Sequence, residues 1–289
     1  MSSETTTPVL IAGGGPVGLT LACELGSRGV ACVLLEQKST TTAEPKCTLT
    51  NMRSMEHFRR LGIAEATRRA GVAEDYPYHV VFATQLFGHT LCRFEYASRA
   101  EAARSGAKLA FGSPLAAEQP QRISQIFQEP VLRAAAEAYP NVDVRFGWRV
   151  VSATPDGDGV RVEASEVASG RRQLFRARFV AACDGGASPL REAVGLRLEG
   201  RQAVSQQVGI FFRAPELRAR NPQGDAVFWF IVHPSLRRVP LAVVDVREPA
   251  VRALYARELV LVRPDQHVAW RGNALPHDAL ALVDRVRGA

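Results

Sequence analysis

Lysine is nearly absent. Lys38, Lys46 and Lys108 are the three in 289 residues, so 36 − 3 = 33 of the basic residues are arginine. No apolar run approaches the ~20 residues needed to span a bilayer, so no membrane association is expected. Met1 to Pro8 is polar, with neither a basic nor an apolar region, and does not read as a signal peptide. A cytoplasmic location is the expectation. The five cysteines form no C-x-x-C pair and read as free thiols. The six histidines show no H-x-H or H-x-x-x-H spacing, so no metal is expected. There is no G-x-S-x-G elbow, which removes the usual sign of an α/β-hydrolase. The formal charge is +7, but the arginines lie singly or in pairs and no basic run reaches five residues. Aromatics do not interleave with them, so nucleic acid is not an expected partner.

What is present is an ordinary globular balance, 46% hydrophobic and 22% charged, at a length that suggests two domains. The strongest signal lies in the first forty residues. Val9 to Ala12 is a β-favouring run that enters Gly13-Gly14-Gly15-Pro16-Val17-Gly18, a G-x-G-x-x-G on Gly13, Gly15 and Gly18. A helix is expected next, with Val17, Leu21 and Leu25 as its apolar stripe and Gly26 and Gly29 at its end. A second strand, Ala31 to Leu35, ends on Glu36. Gly13 suits the tight turn, Gly15 lets a pyrophosphate approach the backbone, and Gly18 allows close helix–strand packing. The helix N-terminus offers amides to phosphates. Glu36, 23 residues after Gly13, suits ribose hydroxyls. The pattern reads as dinucleotide binding and does not separate NAD from FAD.

Further along, Thr48 to Leu61 reads as a helix with Arg53 in its first turn, Met55 and Phe58 on its apolar stripe and Gly62 as its stop. His79 to Thr84 and Thr90 to Tyr96 read as a hairpin, and Arg99 to Ala117 as a loop. A helix is expected over about Glu129 to Ala138, with Pro130 in its first turn and Ser124 or Gln125 as its cap. Strands are expected at Val142–Phe146, Arg149–Thr154, Val160–Ser165 and Leu174–Ala182. The last runs into Cys183-Asp184-Gly185-Gly186, after which Ser188 caps a helix beginning at Pro189.

Four segments in this order carry a resemblance. They are Ile11-Ala-Gly-Gly-Gly-Pro-Val-Gly-Leu19, Thr50-Asn-Met-Arg-Ser-Met-Glu56, Arg122-Ile-Ser-Gln125 with Glu129, and Cys183-Asp-Gly-Gly-Ala-Ser-Pro-Leu-Arg191. Over about residues 8 to 247 the chain resembles the class A flavoprotein monooxygenases, most of all the phenol hydroxylase/2,4-dichlorophenol monooxygenase branch. The resemblance implies an α/β fold: a Rossmann-like FAD-binding domain with an inserted, mostly antiparallel and here incomplete β substrate domain. It implies non-covalent FAD, NAD(P)H as a transient co-substrate, and O2 adding at flavin C4a to give a hydroperoxide that hydroxylates a phenolic or related small aromatic ring. By position, Gly13, Gly15, Pro16, Val17, Gly18 and Glu36 match the ADP contacts of the family. Arg53 and Gln125 match positions that contact FAD, and Asp184 matches a residue between the FAD pyrophosphate and the incoming nicotinamide nucleotide. The family's Pro-Arg-Ala is here Pro45-Lys46-Cys47, which keeps the charge and loses the guanidinium fork.

The implied domains are 1–75 with 119–200 for FAD, 76–118 with 201–247 as a partial substrate sheet, and 248–289 as a remnant of a C-terminal thioredoxin-like domain. In that last part Leu259 to Trp270 reads as a hairpin and Asp278 to Val286 as a helix. The family's second FAD motif, a Gly-Asp-Ala-Ala-His-like segment, has no counterpart between Val239 and Ala289. The middle of the family's chain is therefore expected to be missing. Three readings stay open: an FAD-dependent aromatic hydroxylase, an internally deleted FAD-binding remnant without turnover, and an NAD(P)-binding reductase. A homodimer is compatible with each. No catalytic acid or base is assigned. Asp75, Tyr76, His79 and Tyr96 lie where the substrate domain begins, and Phe228-Trp229-Phe230 reads as core packing ahead of a pocket wall.

Overall fold

A computed structural model describes residues 4–44, 46–107, 109–200, 209–212, 214–221, 223–232, 259–262 and 268–272. The chain divides into two compact units, Met1–Ala73 with Leu115–Gly200, and Glu74–Pro114 with Arg201–Ala289. The first unit begins with β1 (Thr5–Ala12), α1 (Pro16–Gly26), β2 (Cys32–Glu36), β3 (Leu49–Thr50), α2 (Met52–Arg60) and α3 (Ala64–Ala70). The second unit takes β4 (Val80–Ala83), β5 (Thr90–Phe94) and α4 (Arg99–Ser105). The chain returns to the first for β6 (Gln121–Arg122), α5 (Gln125–Glu137), β7 (Val142–Phe146), β8 (Trp148–Asp156), β9 (Gly159–Glu166), β10 (Arg172–Ala182) and α6 (Pro189–Ala193). It then gives the second β11 (Gly209–Phe212), α7 (Pro215–Arg220), β12 (Phe228–Ile231), β13 (Leu259–Val262) and β14 (Val268–Gly272).

The first unit is built on a six-stranded sheet in the order β7-β2-β1-β10-β9-β8. The first four strands are mutually parallel, and β9 and β8 continue them as an antiparallel meander. Alternation along the strands sorts two cores. Ile11, Cys32 and Leu34 pack with Leu19, Ala22, Met55, Phe58 and Leu132 from the helices. Leu10, Ala12, Val33 and Leu35 pack with Trp148, Val162 and Phe175 of the meander. Burial of each large apolar side chain here contributes roughly 1.5–3 kcal/mol.

Several expected elements shift. In α1 the buried face is Gly18, Leu19, Ala22, Cys23 and Gly26, whereas Val17 is 70% exposed. Of the expected stripe, Leu21 and Leu25 pack partly against the core and Val17 does not, because the small residues decide how closely the helix lies on its neighbours. A Cβ at Gly26 would stand 2.6 Å from the Tyr139 ring. α2 starts at Met52, since Leu49–Thr50 pairs instead with Gln121–Arg122. α5 starts at Gln125, so Pro130 sits inside it with no N–H to give. Ser124 is its N-cap by position but gives no side-chain cap, and Cys47 O accepts from Gln125 N at 2.8 Å.

The expected loop from Arg99 to Ala117 holds α4. Ser98 accepts from Glu101 N at 3.1 Å while Glu101 accepts from Ser98 N at 2.8 Å, a reciprocal capping box spelled out in Ser98-Arg99-Ala100-Glu101. In the second unit β12-β4-β5 form one three-stranded sheet and β11-β13-β14 another. The hairpin expected over Leu259 to Trp270 is present as β13 and β14, and β13 also pairs antiparallel with β11. A two-stranded hairpin alone is at best marginally stable, and a third strand supports it. The helix expected at Asp278 to Val286 lies outside the described residues.

Candidate functional site

The turn from β1 to α1 is held by backbone contacts that only glycine permits. Gly13 sits at φ +111°, and a Cβ there would overlap the carbonyl of Cys183, at the end of β10. A Cβ at Gly18 would overlap the carbonyl oxygen of Gly13. These two contacts pull the helix start onto the ends of β1 and β10. Gly13 N donates to Leu35 O at 2.8 Å and Cys183 N to Ala12 O at 2.8 Å, so the three strand ends are laced together.

Gly15 differs from both. It is the N-cap of α1, with no side-chain cap, and nothing lies within 4 Å of where its Cβ would be. Pro16 follows at the first helical position, where a missing N–H costs nothing. Helix geometry leaves the amides of Val17 and Gly18 without an intrahelical acceptor, and they sit at the positive end of the helix dipole. The result is an open anion cradle at the carboxyl end of a parallel sheet.

Glu36 closes one side of this turn. Its Oε2 accepts from Gly14 N at 2.6 Å and its Oε1 from Lys38 N at 2.9 Å. Gly14, which sequence reasoning passed over, is needed for this approach, because a Cβ there would lie 2.7 Å from Glu36 Cβ. Asp184 lies beyond Cys183 on the other side. Its Oδ2 accepts from Leu190 N at 3.2 Å, while Oδ1 is buried without a hydrogen-bond partner among the described residues. Ser188 caps α6 as expected, accepting from Arg191 N at 3.0 Å.

Arg53 stands at the second position of α2, 75% exposed and 3.1 Å from Glu56. Asn51 caps that helix, its Oδ1 accepting from Ser54 N at 2.8 Å, a role that its residue type and place announced and sequence reasoning missed. Gln125 opens α5 and donates to Glu129. The structure thus brings Gly13, Gly15, Pro16, Val17, Gly18, Glu36 and Asp184 around one strand-end turn, and places Arg53 and Gln125 at the starts of two further helices of the same unit. The open cradle, the carboxylate at the end of β2 and the unpartnered Asp184 oxygen fit a dinucleotide such as FAD.

In the second unit His79 Nδ1 accepts from Tyr96 N at 3.1 Å. Burial, and then Arg93, hold its pKa below the usual histidine value. The Phe228-Trp229-Phe230 strand divides its side chains. Trp229 is buried with Val81, Ala83 and Ala226, whereas Phe230 stacks on Phe82 at 4.7 Å and Phe228 meets Phe111 edge-on at 6.1 Å. None of these contacts singles out an acid or base. A groove of about 690 Å³ in the first unit is lined by Leu61, Ile63, Val131, Ala135 and Tyr139 among others, and by none of the turn residues.

Comparison with known proteins shows the family of the chain. The FAD binding domain family model matches residues 6–280. The chain is 36% identical over 238 residues to FAD-dependent monooxygenase apdD of Emericella nidulans, covering 81% of this chain and 38% of that protein. It is 30% identical over 211 residues to 4-methyl-5-nitrocatechol 5-monooxygenase of a Burkholderia species, covering 73% and 37%. Among solved structures, the rebeccamycin biosynthetic enzyme RebC with reduced flavin superposes with a TM-score of 0.76 at 31% identity, covering 98% of this chain and 49% of that one. The chain therefore spans less than half the length of these relatives. It belongs to the FAD binding domain family, within the class A FAD-dependent monooxygenases.

Proposed function

We propose that this chain is the FAD-binding and substrate-sheet part of an aromatic hydroxylase that uses NAD(P)H and O2, acting on a phenolic ring as in the phenol hydroxylase branch. The observation that carries the reading is the contrast between Gly13 and Gly18, which are packed shut, and Gly15, which faces open space at the helix N-terminus. Bound FAD supplies the redox and oxygen chemistry. The amides of Val17 and Gly18 hold its pyrophosphate. Glu36 already accepts two backbone N–H groups, and a carboxylate has lone pairs left for ribose hydroxyls. Arg53 brings a cation, Gln125 a polar contact, and Asp184 its unused oxygen. The first unit is read as the cofactor domain and the second as the substrate domain. The nitrocatechol relative supports a phenolic substrate.

The test is NADPH and NADH consumption by the FAD-loaded chain, with and without simple phenols, with product analysis. Phenol-stimulated consumption and a hydroxylated product are expected. The alternative reading is flavin binding without turnover. Bound flavin that no phenol stimulates is the outcome for that reading and against hydroxylation.

A further inference from the structure

Glu129 is 3% exposed, and both its oxygens are used. Oε1 accepts from Gln125 Nε2 at 2.7 Å, one helical turn back, and Oε2 accepts from Thr42 N at 2.6 Å, on the segment after β2. A carboxylate offers acceptors only. Gln125 must therefore turn its NH2 end to Glu129, which leaves its carbonyl oxygen directed away. We propose that Glu129 is a positioning residue that sets the Gln125 amide, so that position 125 presents FAD with a hydrogen-bond acceptor for hydroxyl groups. The inference rests on the reading of Gln125 as an FAD contact.

The geometry makes the consequence of Glu129→Gln specific. Thr42 N–H holds an oxygen on its own side, so the introduced amide turns its NH2 toward position 125. Gln125 must then turn over and show FAD a donor in place of an acceptor. Combining Gln125→Glu with Glu129→Gln reverses the pair. The amide at position 129 donates to the carboxylate at position 125, and an acceptor oxygen again faces away.

The experiment measures FAD dissociation constants by quenching of flavin fluorescence, using the full chain, together with melting of the FAD-free proteins. Gln125→Ala and Glu129→Gln are each expected to weaken FAD about tenfold, the scale of one hydrogen bond to a charged or well-placed partner. Their combination should be no weaker than Gln125→Ala alone, because Glu129 acts through Gln125. The reversed pair should bind within about threefold of wild type, since it restores the hydrogen bond. Unchanged binding by Glu129→Gln beside a weakened Gln125→Ala overturns the positioning role and leaves the Gln125 reading standing. Unchanged binding by Gln125→Ala overturns both. Loss of FAD in every variant, the reversed pair included, in step with lower melting of the FAD-free protein shows a structural role and overturns the proposal.

Discussion

The α-carbon of Gly18 lies so close to the carbonyl oxygen of Gly13 that no side-chain atom fits between them. This contact is between main chains, which cannot swing aside as the end of a long side chain can. It locks the first turn of α1 onto the end of β1 and fixes where the helix amides stand.

Gly18→Ala is therefore expected to destabilise the FAD-free protein by roughly 1–3 kcal/mol, the usual range for overpacking, and to weaken FAD. Gly15→Ala is the counterpart. With nothing within 4 Å of its Cβ, the FAD-free protein should melt within about 0.5 kcal/mol of wild type, as surface changes do, while FAD binding falls because the methyl group enters the cradle. Denaturant unfolding and FAD titration on both variants check this. Equal effects of the two substitutions on unfolding would contradict the packing argument.

Glu36→Gln removes one of two acceptors from a carboxylate that serves Gly14 N and Lys38 N at once. An amide can satisfy one of these and turns a donor toward the other. A loss of about 1 kcal/mol of stability is expected, with weaker FAD binding. Unfolding and titration measure it, and full retention of both would show that Glu36 is not holding the turn.

The capping box of α4 gives a pH-dependent prediction. Hydrogen bonds from Ser98, its backbone N–H first, hold the Glu101 carboxyl below the usual glutamate range. A depressed folded pKa means that this contribution is present above the unfolded value, ~4.3, and is lost as pH falls through the folded value. Ser98→Ala should cost about 1 kcal/mol near neutral pH, and the gap between wild type and Glu101→Gln should close as the solution is acidified. Since α4 belongs to the second unit, FAD affinity of the Ser98 variant should match wild type. A gap that widens in acid would be the wrong sign.

The thiols should sort by burial. Burial above all, helped by Glu24 for Cys23 and by Asp143 for Cys32, pushes both up to about 11, and burial also raises Cys183. Cys47 and Cys92 are exposed. Since the thiolate is the reactive form, a disulfide reagent at mildly alkaline pH should label Cys47 and Cys92 quickly and Cys23 and Cys32 only on unfolding. Rapid labelling of Cys23 would contradict the packing of α1.

Much of the strand-end turn was legible in the sequence, because its constraints are local. A strand, three spaced glycines and an acid at the next strand's end can be read along the chain, and Ser188-Pro189 announced its helix as plainly. What could not be read was three-dimensional. Val17 is apolar and suitably spaced for the core, yet the face of α1 that packs on the sheet is Gly18, Leu19, Ala22 and Cys23. Gly14 looked like a filler until Glu36 was seen to approach it across 22 residues. Glu129 and Thr42, 87 residues apart, meet only in the fold. The α4 helix was missed for another reason: its capping box was visible in Ser98 and Glu101, but the alanine- and arginine-rich segment behind it lacks a buried face and so shows no apolar period. Family resemblance, and not periodicity, pointed to Arg53, Gln125 and Asp184.

The most direct test of the central claim is to purify the full chain, incubate it with excess FAD, remove free flavin and record the visible absorption spectrum, with Gly15→Ala alongside. A protein-bound flavin spectrum at stoichiometric yield for wild type, reduced for the variant, is the predicted result. A colourless wild-type protein that folds but retains no flavin would contradict it.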